Sequence, residues 1–252
     1  MIISFKKISD VSWMLRNTLA AKRRGAGGRP AMRLRGRAID VTQPLVFGPR
    51  EVMLTFDDGP RGAVTRSVLR TLDFFDVSAM FFLLGDRVDV EPDLPPEISA
   101  RGHVVGSHTR SHPSMRSLSL YNARAQLLEG HAALTTVVPD APRLFRFPYL
   151  ETNDVLDAMV EAEGFRAFGC DVIAYDWECK RAKETLARAL AALEETSSGI
   201  VLLHDIHRHT ADALPMFLTA LAERGYSVVT PVVGPRAVGA ETAPGLASEP
   251  AG

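Results

Sequence analysis

The sequence predicts an α/β fold in which helices cover a parallel sheet. Short apolar runs alternate with longer segments whose apolar residues recur at helical spacing, which is typical of βα units. The chain has 252 residues, 46% of them apolar and 23% charged, so it can form one globular domain with a large core. A closed barrel and an open doubly wound sheet both fit this alternation. We expect a single domain over residues 45–234.

The elements of this domain follow one another in a regular order. The predicted strands are EVMLTF, SAMFFLLG, HVVGS, RLFRFP, one or two short strands in FRAFGCDVIAY, IVLLHD and YSVVTPVV. The predicted helices are VTRSVLRTLDFF, PPEISARG, SLYNARAQLLEGHAALTTV, NDVLDAMVEAEG, AKETLARALAALEETSSG and TADALPMFLTALAERG. The short helix PPEISARG has Pro at its start and Gly at its end, which are the residues that favour these two boundaries.

Basic residues mark one end of the chain and small residues mark the other. Residues 1–38 are strongly basic, with Asp10 as their single acid, and ISDVSWMLRNTLA within them has the spacing of a short amphipathic helix. The segment KRRGAGGRP is typical of a flexible linker, so we expect an extension and linker over residues 1–44. Residues 235–252 are rich in small residues, Pro and Gly, and we expect a disordered tail there.

Composition disfavours several classes of protein. The net charge of −1 provides no overall attraction to nucleic acid. No apolar run approaches the ~18 residues of a membrane span, and no secretory signal is visible. Neither Cys170 nor Cys179 lies in a CxxC pattern, so a disulfide framework is not expected. We expect a cytoplasmic protein whose basic leader makes at most a weak contact with an anionic membrane surface.

Polar residues collect where the predicted strands end, and the carboxyl ends of parallel strands are where α/β proteins carry their chemistry. The residues are Asp57 and Asp58 after LTF, His108 to His112 after HVVGS, Tyr149 after LFRFP, Asp176 and Trp177 after VIAY, and His204 and Asp205 after IVLL. Carboxylates, imidazoles and aromatic rings at one rim indicate a catalytic mouth.

His108 and His112 are four residues apart, and on a helical turn this spacing puts both imidazoles within reach of one metal ion. The pattern is weak alone, but here it directly follows an apolar strand. Two imidazoles and one carboxylate, with positions left for water and substrate, make a catalytic zinc arrangement. If Asp58 is the third ligand, the cation neutralises its charge. Asp57 can then remain ionised beside it as a general base.

Five segments together resemble the motifs of the polysaccharide deacetylases, which are carbohydrate esterases that share the chitooligosaccharide deacetylase domain. They are TFDDGP (55–60), SHTRSHP (107–113), RFPY (146–149), DW (176–177) and LLH (202–204), within a resemblance that covers about residues 50–232. It implies a distorted, incomplete (β/α) barrel of seven or eight strands. It also implies hydrolysis of an N- or O-acetyl group of a sugar oligomer or polymer with one divalent metal ion. Zinc is the first choice for imidazole ligands, and cobalt, nickel or manganese also fit.

The resemblance implies roles for the residues of the first three motifs. Asp57 matches the general base, and Asp58, His108 and His112 match the three metal ligands. Arg146 matches the arginine that holds the base in place, and its guanidinium suits bidentate pairing with a carboxylate.

The remaining motif residues match groups that contact the substrate or act on the leaving group. The backbone N–H of Tyr149 matches the oxyanion donor, and Asp176 matches the acid that orients the catalytic histidine. Trp177 matches a wall of the groove, and Leu202 matches the apolar pocket for the acetyl methyl. His204 matches the general acid that protonates the leaving amine.

The chain departs from the family pattern at one loop, and four histidines match no motif. Leu150 follows RFPY where the family usually has Gly, so the loop that borders the groove is altered. We expect His103 at the start of a strand, His131 on a helix surface, and His207 and His209 in a loop, where these last two could touch substrate.

These residues lead to one function with two alternatives. The first is hydrolysis of the acetyl group of an N-acetylated amino sugar in a chitooligosaccharide-like oligomer or polymer, releasing acetate and a free amine. Trp177 favours a sugar, because carbohydrate faces stack on aromatic rings. The alternatives are a metal-dependent amidase for a non-sugar amide and a catalytically silent carbohydrate-binding relative. A cytoplasmic location weighs against peptidoglycan as the substrate.

Overall fold

A computed structural model describes residues 34–234 of the chain. The strands in this range are β1 Arg35–Asp40, β2 Glu51–Asp57, β3 Met80–Leu83, β4 Val104–Ser107, β5 Leu144–Phe145, β6 Arg166–Ala167, β7 Val172–Ile173, β8 Gly199–His204 and β9 Ser227–Val232. The predicted leader helix and the expected C-terminal tail lie outside the described residues.

The helices of the described range lie between these strands. They are α1 Gly62–Phe75, α2 Gly85–Val90, α3 Leu94–Ala100, α4 Leu120–Val137, α5 Asp154–Ala162, α6 Ala182–Thr196 and α7 Arg208–Glu223. Each predicted helix of the domain is present, and the short helix α2 is additional. Within residues 34–234 no helix is long and apolar enough to cross a lipid bilayer.

The sheet is parallel throughout and has β2 at its centre. Along one side β2 pairs with β3, and the sheet continues through β4 and β5 to β6. Along the other side β2 pairs with β8, which also pairs with β7. Among the described strands β6 and β7 do not pair, so the wall formed by β2 to β8 stays open between them. The expected distorted, incomplete (β/α) barrel is confirmed.

Two apolar layers cover the two faces of this wall, because successive residues of a strand point to opposite faces. The outer layer, between strands and helices, includes Leu54, Phe56, Phe81, Leu83, Val201, Leu203, Leu69, Leu72, Leu214 and Leu218. The inner layer fills the barrel and includes Met53, Met80, Phe82, Leu144, Phe168 and Ile200. By the same alternation β2 and β8 end with Asp57 and His204 on the inner side, at the mouth of the barrel.

The folded domain begins earlier than the expected boundary at residue 45. Strand β1 falls in the segment that we expected to be an extension and linker, yet it pairs in parallel with β9. Ile39 of this strand and Val41 directly after it are buried, and Arg37 forms an exposed ion pair with Glu51. The arginines of this strand lie on its solvated side, and they gave the segment the composition of a basic leader.

The expectation of a surface position for His131 is also wrong. The ring is 9% exposed on α4 and meets the ring of Phe165 edge-on, with 4.9 Å between their centroids. His103, by contrast, stands directly before β4 as expected, and it is buried.

His103 makes the stability of the fold sensitive to acid. Its Nδ1 accepts a hydrogen bond from the Ala79 N–H at 3.2 Å, and burial lowers the pKa of the ring from 6.5 to about 4. Below about pH 6.5 His103 therefore binds a proton in the unfolded chain, whereas in the folded chain it stays neutral until the pH nears about 4. The contribution of His103 is fully present above that pH and is lost as the pH falls towards about 4, by about 3 kcal/mol at most.

We therefore expect His103→Gln to flatten the pH dependence of stability. The free energy of unfolding, measured by urea denaturation, should fall less in the variant than in the wild type between about pH 7 and about pH 4.5. Any general effect of the substitution is present at both pH values and cancels in this comparison. An equal fall in both proteins would show that His103 does not control it.

Candidate active site

The carboxyl ends of β2 and β8 bring the expected base and the expected acid together. Asp57 and His204 are register partners in the parallel pairing of these strands, and both are buried. Asp58 follows directly and leaves the strand with a φ of 70°, in the left-handed region. The turn separates the two carboxylates, so that one stays inside the barrel wall and the other points into the mouth.

Asp58, His108 and His112 form a cluster suited to a metal ion, with one potential ligand atom from each residue within 4.8 Å of the others. The Oδ1 atom of Asp58 lies 3.5 Å from Nε2 of His108 and 3.2 Å from Nε2 of His112. This oxygen is buried and has no hydrogen-bond partner within the described residues. A buried carboxylate oxygen facing two imidazole nitrogens without a hydrogen bond is the arrangement that a bound cation satisfies.

The protonation state of His108 also fits a metal ligand. Its Nδ1 lies 2.8 Å from the backbone carbonyl oxygen of Arg146, so Nδ1 carries the hydrogen and Nε2 presents a lone pair towards Asp58. Burial lowers the pKa of the His108 ring to about 3, which keeps the imidazole neutral. The cluster therefore fits a divalent ion with imidazole and carboxylate ligands.

The segment between the two histidines is a loop, and the helical turn that their spacing predicted is wrong. Thr109 and His112 have φ values of 74° and 64°, and the His112 N–H donates to the Thr109 Oγ1 at 3.0 Å. Helix α4 packs closely over this loop at Gly130, where a Cβ atom would lie 2.4 Å from the Thr109 carbonyl carbon. The two imidazoles approach each other because the backbone is left-handed at Thr109 and His112, and not because the segment is helical.

Arg146 is fully buried inside the barrel and contacts Asp57. Its guanidinium donates to Asp57 Oδ1 at 2.8 Å, to Thr55 Oγ1 at 2.7 Å and to the Gly169 carbonyl oxygen at 2.8 Å. It also lies over the ring of Phe82, with 4.4 Å from Cζ to the ring centroid. The carboxylate receives one hydrogen bond from Arg146, not the bidentate pair that we expected, because the other two guanidinium nitrogens donate to the carbonyl oxygens of Phe168 and Gly169.

The environment of Asp57 favours its action as a proton acceptor. Burial raises the pKa of the Asp57 carboxyl, and the charges of Arg146 and His204 act against that rise. A carboxylate with a raised pKa is a stronger base than one in water.

His204 and Asp176 form a buried hydrogen-bonded pair. The Nδ1 of His204 lies 2.7 Å from Asp176 Oδ1, and Asp176 Oδ2 accepts from the His204 backbone N–H and from Thr210 Oγ1. Burial opposes the charge on the ring, but the bond to Asp176 outweighs it and raises the pKa of His204 to about 9. Burial alone would raise the pKa of Asp176, but the hydrogen bond and the charge of His204 outweigh burial and lower that pKa. His204 is therefore a protonated donor, with Nε2 3.9 Å from Asp58 Oδ2.

The residues expected to contact substrate surround this centre. Trp177 meets the edge of His204 at 5.2 Å between ring centroids, and Tyr149 meets His112 at 4.6 Å. Leu202 is buried in β8, two residues before His204 and therefore on the same face of the strand. The structure thus brings the expected site residues together, at the mouth of the barrel or buried directly beneath it.

The altered loop after the third motif has an unusual backbone. Tyr149 and Leu150 have φ values of 60° and 57°, in the left-handed region that glycine adopts most readily. A Gly after RFPY would suit this conformation, and Leu150 adopts it despite its side chain.

Asp205 is a buried group to which sequence reasoning assigned no role. It is fully buried, its Oδ2 accepts from Thr65 Oγ1 at 2.5 Å, and burial raises the pKa of its carboxyl to about 7. Thr65 Oγ1 also accepts the Arg61 N–H at 2.7 Å, so the network ties the turn after Asp58 to the end of β8. The signal in the sequence was the acidic residue that directly follows His204 in LLHD. Thr55 and Thr210 gave no comparable signal.

The two histidines that follow β8 contribute to the wall beside His204. His209 Nε2 lies 2.8 Å from the carbonyl oxygen of Asp176, and the His209 ring stacks on His207 with 5.1 Å between centroids. His207 is 5.9 Å from His204 by the same measure. His209 therefore supports the Asp176 backbone, and it lies at the start of α7 rather than in a loop.

Comparison of the sequence with known proteins identifies related enzymes. A family model described as polysaccharide deacetylase matches residues 46–168. The peptidoglycan-N-acetylglucosamine deacetylase PgdA of Listeria monocytogenes is 36% identical over 181 residues, which are 72% of this chain and 38% of that protein. The chitooligosaccharide deacetylase of Bradyrhizobium is 33% identical over 199 residues, which are 73% of this chain and 90% of that protein. The chain thus spans little more than a third of the Listeria relative.

Solved structures show the same fold. A peptidoglycan deacetylase of Bdellovibrio bacteriovorus has a TM-score of 0.74 and 34% identity, covering 84% of this chain and 63% of that one. The peptidoglycan deacetylase PdaC of Bacillus subtilis has a TM-score of 0.66 and 31% identity, covering 73% and 88%. A CE4 family pseudoenzyme from Bacillus anthracis has a TM-score of 0.67 and 26% identity, covering 72% and 63%.

The contact between Gly59 and Asp205 predicts that Gly59→Ala weakens metal binding. A Cβ atom at Gly59 would lie 2.4 Å from Asp205 Oδ1, and such overpacking costs about 1 to 3 kcal/mol unless the backbone moves. Movement of the turn displaces Asp58, so zinc affinity measured by calorimetric titration should fall about tenfold or more. Gly169→Ala is the matched control, since a Cβ atom there meets nothing within 4 Å. Equal zinc affinity in both variants would show that the packing of Gly59 against Asp205 does not hold Asp58 in position.

Proposed function

The chain belongs to the polysaccharide deacetylase family, and on that premise we propose that it hydrolyses the N-acetyl group of an amino sugar in an oligosaccharide or polysaccharide. The observation that carries the proposal is the placement of two proton-transfer groups with opposite character around one cluster of metal ligands. Burial raises the pKa of the Asp57 carboxyl, and Asp176 holds His204 protonated with a pKa of about 9. Such divergent pairs are typical of general base and general acid in one site.

Asp58, His108 and His112 would hold one divalent ion, with zinc the first choice and cobalt, nickel or manganese compatible with the same ligands. When bound, such an ion supplies Lewis-acid polarisation of a carbonyl group and lowers the pKa of a coordinated water. The neutral state of His108 supports this assignment, as does the lack, within residues 34–234, of a hydrogen bond to the buried Asp58 Oδ1.

The chain's own residues would perform the proton transfers. Asp57 accepts a proton from the attacking water, while the hydrogen bond from Arg146 holds the carboxylate in place. The backbone N–H of Tyr149 donates to the oxyanion as negative charge develops on the former carbonyl oxygen. His204 donates its Nε2 proton to the leaving nitrogen, and Asp176 keeps the ring oriented through Nδ1. The products are acetate and a free amine.

The substrate that we propose is an N-acetylglucosamine-containing chain of the chitooligosaccharide type. The support is the Bradyrhizobium chitooligosaccharide deacetylase, 90% of which this chain covers, together with the exposed Trp177 ring beside His204. The Listeria relative acts on peptidoglycan N-acetylglucosamine, as its name states, so the same acetylated unit occurs in both relatives. The cytoplasmic location and the weak membrane contact of the leader stay predictions, which fractionation of cells checks.

The catalytically silent alternative has a concrete precedent in the pseudoenzyme from Bacillus anthracis. The presence of base, acid and three ligands in one mouth favours an active enzyme. The alternative of a non-sugar amide has its own test in a substrate panel.

The substrate panel contains chitooligosaccharides of several lengths, intact peptidoglycan, acetylxylan and a simple cyclic amide. We expect release of acetate from chitooligosaccharides in the presence of zinc, and loss of that release after treatment with a chelator. Hydrolysis of the cyclic amide alone would favour the amidase. Activity on peptidoglycan alone, together with an extracellular location of the native protein, would contradict both the proposed substrate and the proposed location.

The base and the metal ligands are different residues, so substitutions of the two should have different effects. Asp57→Asn should retain bound zinc and lose about 10²- to 10⁴-fold in kcat, because the proton acceptor is gone while the ligand set is intact. His112→Ala should lose bound zinc itself, measured by elemental analysis after dialysis. Asp140→Asn, a change of the same type at an exposed loop position, is the control and should alter neither quantity. Full turnover in Asp57→Asn would exclude Asp57 as the base.

A further inference from the structure

Two aromatic rings stand exposed beside the acid of the active site. Trp177 and Tyr175 keep 43% and 46% of their surface exposed, although both are large apolar groups. Their ring centroids are 5.1 Å apart, and the Trp177 ring in turn meets His204 at 5.2 Å. The order Tyr175, Trp177, His204 forms a continuous row of rings that ends at the reacting centre. Adjacent exposed aromatic rings are typical of a binding surface.

The position of the Tyr175 ring depends on its backbone conformation and on the contacts of the next residue, Asp176, which belongs to the active site. Tyr175 has φ 47° and ψ 39°, a left-handed conformation that a non-glycine residue rarely adopts. The next residue, Asp176, is fully buried and bonded to His204. On the far side the buried Cys179 donates its N–H to the Asp176 carbonyl oxygen at 3.0 Å. A strained residue persists where its surroundings determine its conformation, and such residues concentrate at ligand sites.

Tyr175 is not one of the residues of the five motifs. The family model ends at residue 168, and the motif that contains Trp177 consists of Asp176 and Trp177. Of the three rings in the row, the motifs contain Trp177 and His204 but not Tyr175.

We propose that Tyr175 is a second sugar-binding ring, which together with Trp177 forms a two-ring platform for two neighbouring units of an amino-sugar chain. Trp177 contacts the unit beside His204, and Tyr175 stacks on the next unit. Each pyranose ring offers an apolar face of C–H groups that packs on an aromatic face. The platform gives the site a preference for oligosaccharides over a single N-acetylated sugar. This inference rests on the proposed function, since it takes an amino-sugar chain as the substrate.

The test uses Tyr175→Asn and Tyr175→Phe in the full chain loaded with zinc. Asn tolerates the left-handed conformation and removes the ring, whereas Phe keeps the ring and removes only the hydroxyl. Loss of one aromatic stacking contact should raise KM for chitotetraose about 3- to 10-fold in Tyr175→Asn, with kcat within about twofold of the wild type. KM for the monosaccharide N-acetylglucosamine should not change, and Tyr175→Phe should behave as the wild type.

Binding of chitotetraose to the same three proteins, measured by calorimetry, separates this inference from the proposed function. Acetate release with equal KM for chitotetraose in wild type and Tyr175→Asn would overturn the platform and leave the deacetylase intact. Binding that weakens in Tyr175→Asn while no protein releases acetate would support the platform and overturn the deacetylase. If the wild type neither binds nor hydrolyses any chitooligosaccharide, both are overturned. Thermal unfolding of each variant checks that the fold is retained.

Discussion

The buried guanidinium of Arg146 is the group around which the barrel interior is arranged. A charge inside a protein is tolerated only when hydrogen bonds and a counter-charge replace water, and removing the partner of a buried ion pair costs about 3 to 5 kcal/mol. Its donors reach Asp57 and Thr55 on β2 and the Gly169 carbonyl oxygen before β7. Its own carbonyl oxygen bonds to His108. One residue, directly after the short strand β5, therefore joins the base to the metal-ligand cluster.

The division of labour between the two aspartates follows from this arrangement. Asp57 is the last residue of β2, so its side chain points inward to Arg146, and Asp58 turns away into the cluster with His112. The pairing of β2 with β8 brings His204 next to the same point. Two carboxylates in a row are thus separated by the end of a strand, and each has cationic or imidazole partners. Their mutual repulsion is offset by the positive charge of Arg146 beside Asp57 and of His204 near Asp58.

Strand and helix periodicity predicted the α/β class and the order of the elements from β2 onward, because periodicity is a local property, whereas the resemblance to a family implied the barrel and the roles of the site residues. The sequence could not predict how the chain converges in space. The spacing of His108 and His112 suggested a helical turn, whereas packing of Gly130 against the loop allows a left-handed path. Strand β1 was missed because its arginines gave the segment the composition of a basic leader. Thr55 was missed because a threonine inside an apolar strand carries no sign of its distant partner, and here that partner is Arg146.

The strain in the described backbone is concentrated at the mouth of the barrel. Nine non-glycine residues of residues 34–234 have positive φ, and six lie at the mouth: Asp58, Thr109, His112, Tyr149, Leu150 and Tyr175. The buried core beneath them, with its apolar layers and the Arg146 network, supplies the stability that lets these conformations persist. Two of the six, Asp58 and His112, belong to the proposed metal site and would act on any acetylated substrate. We therefore expect selectivity to come from Tyr149 and Tyr175, whose rings are exposed, and from Leu150, where the resemblance to the family implies Gly.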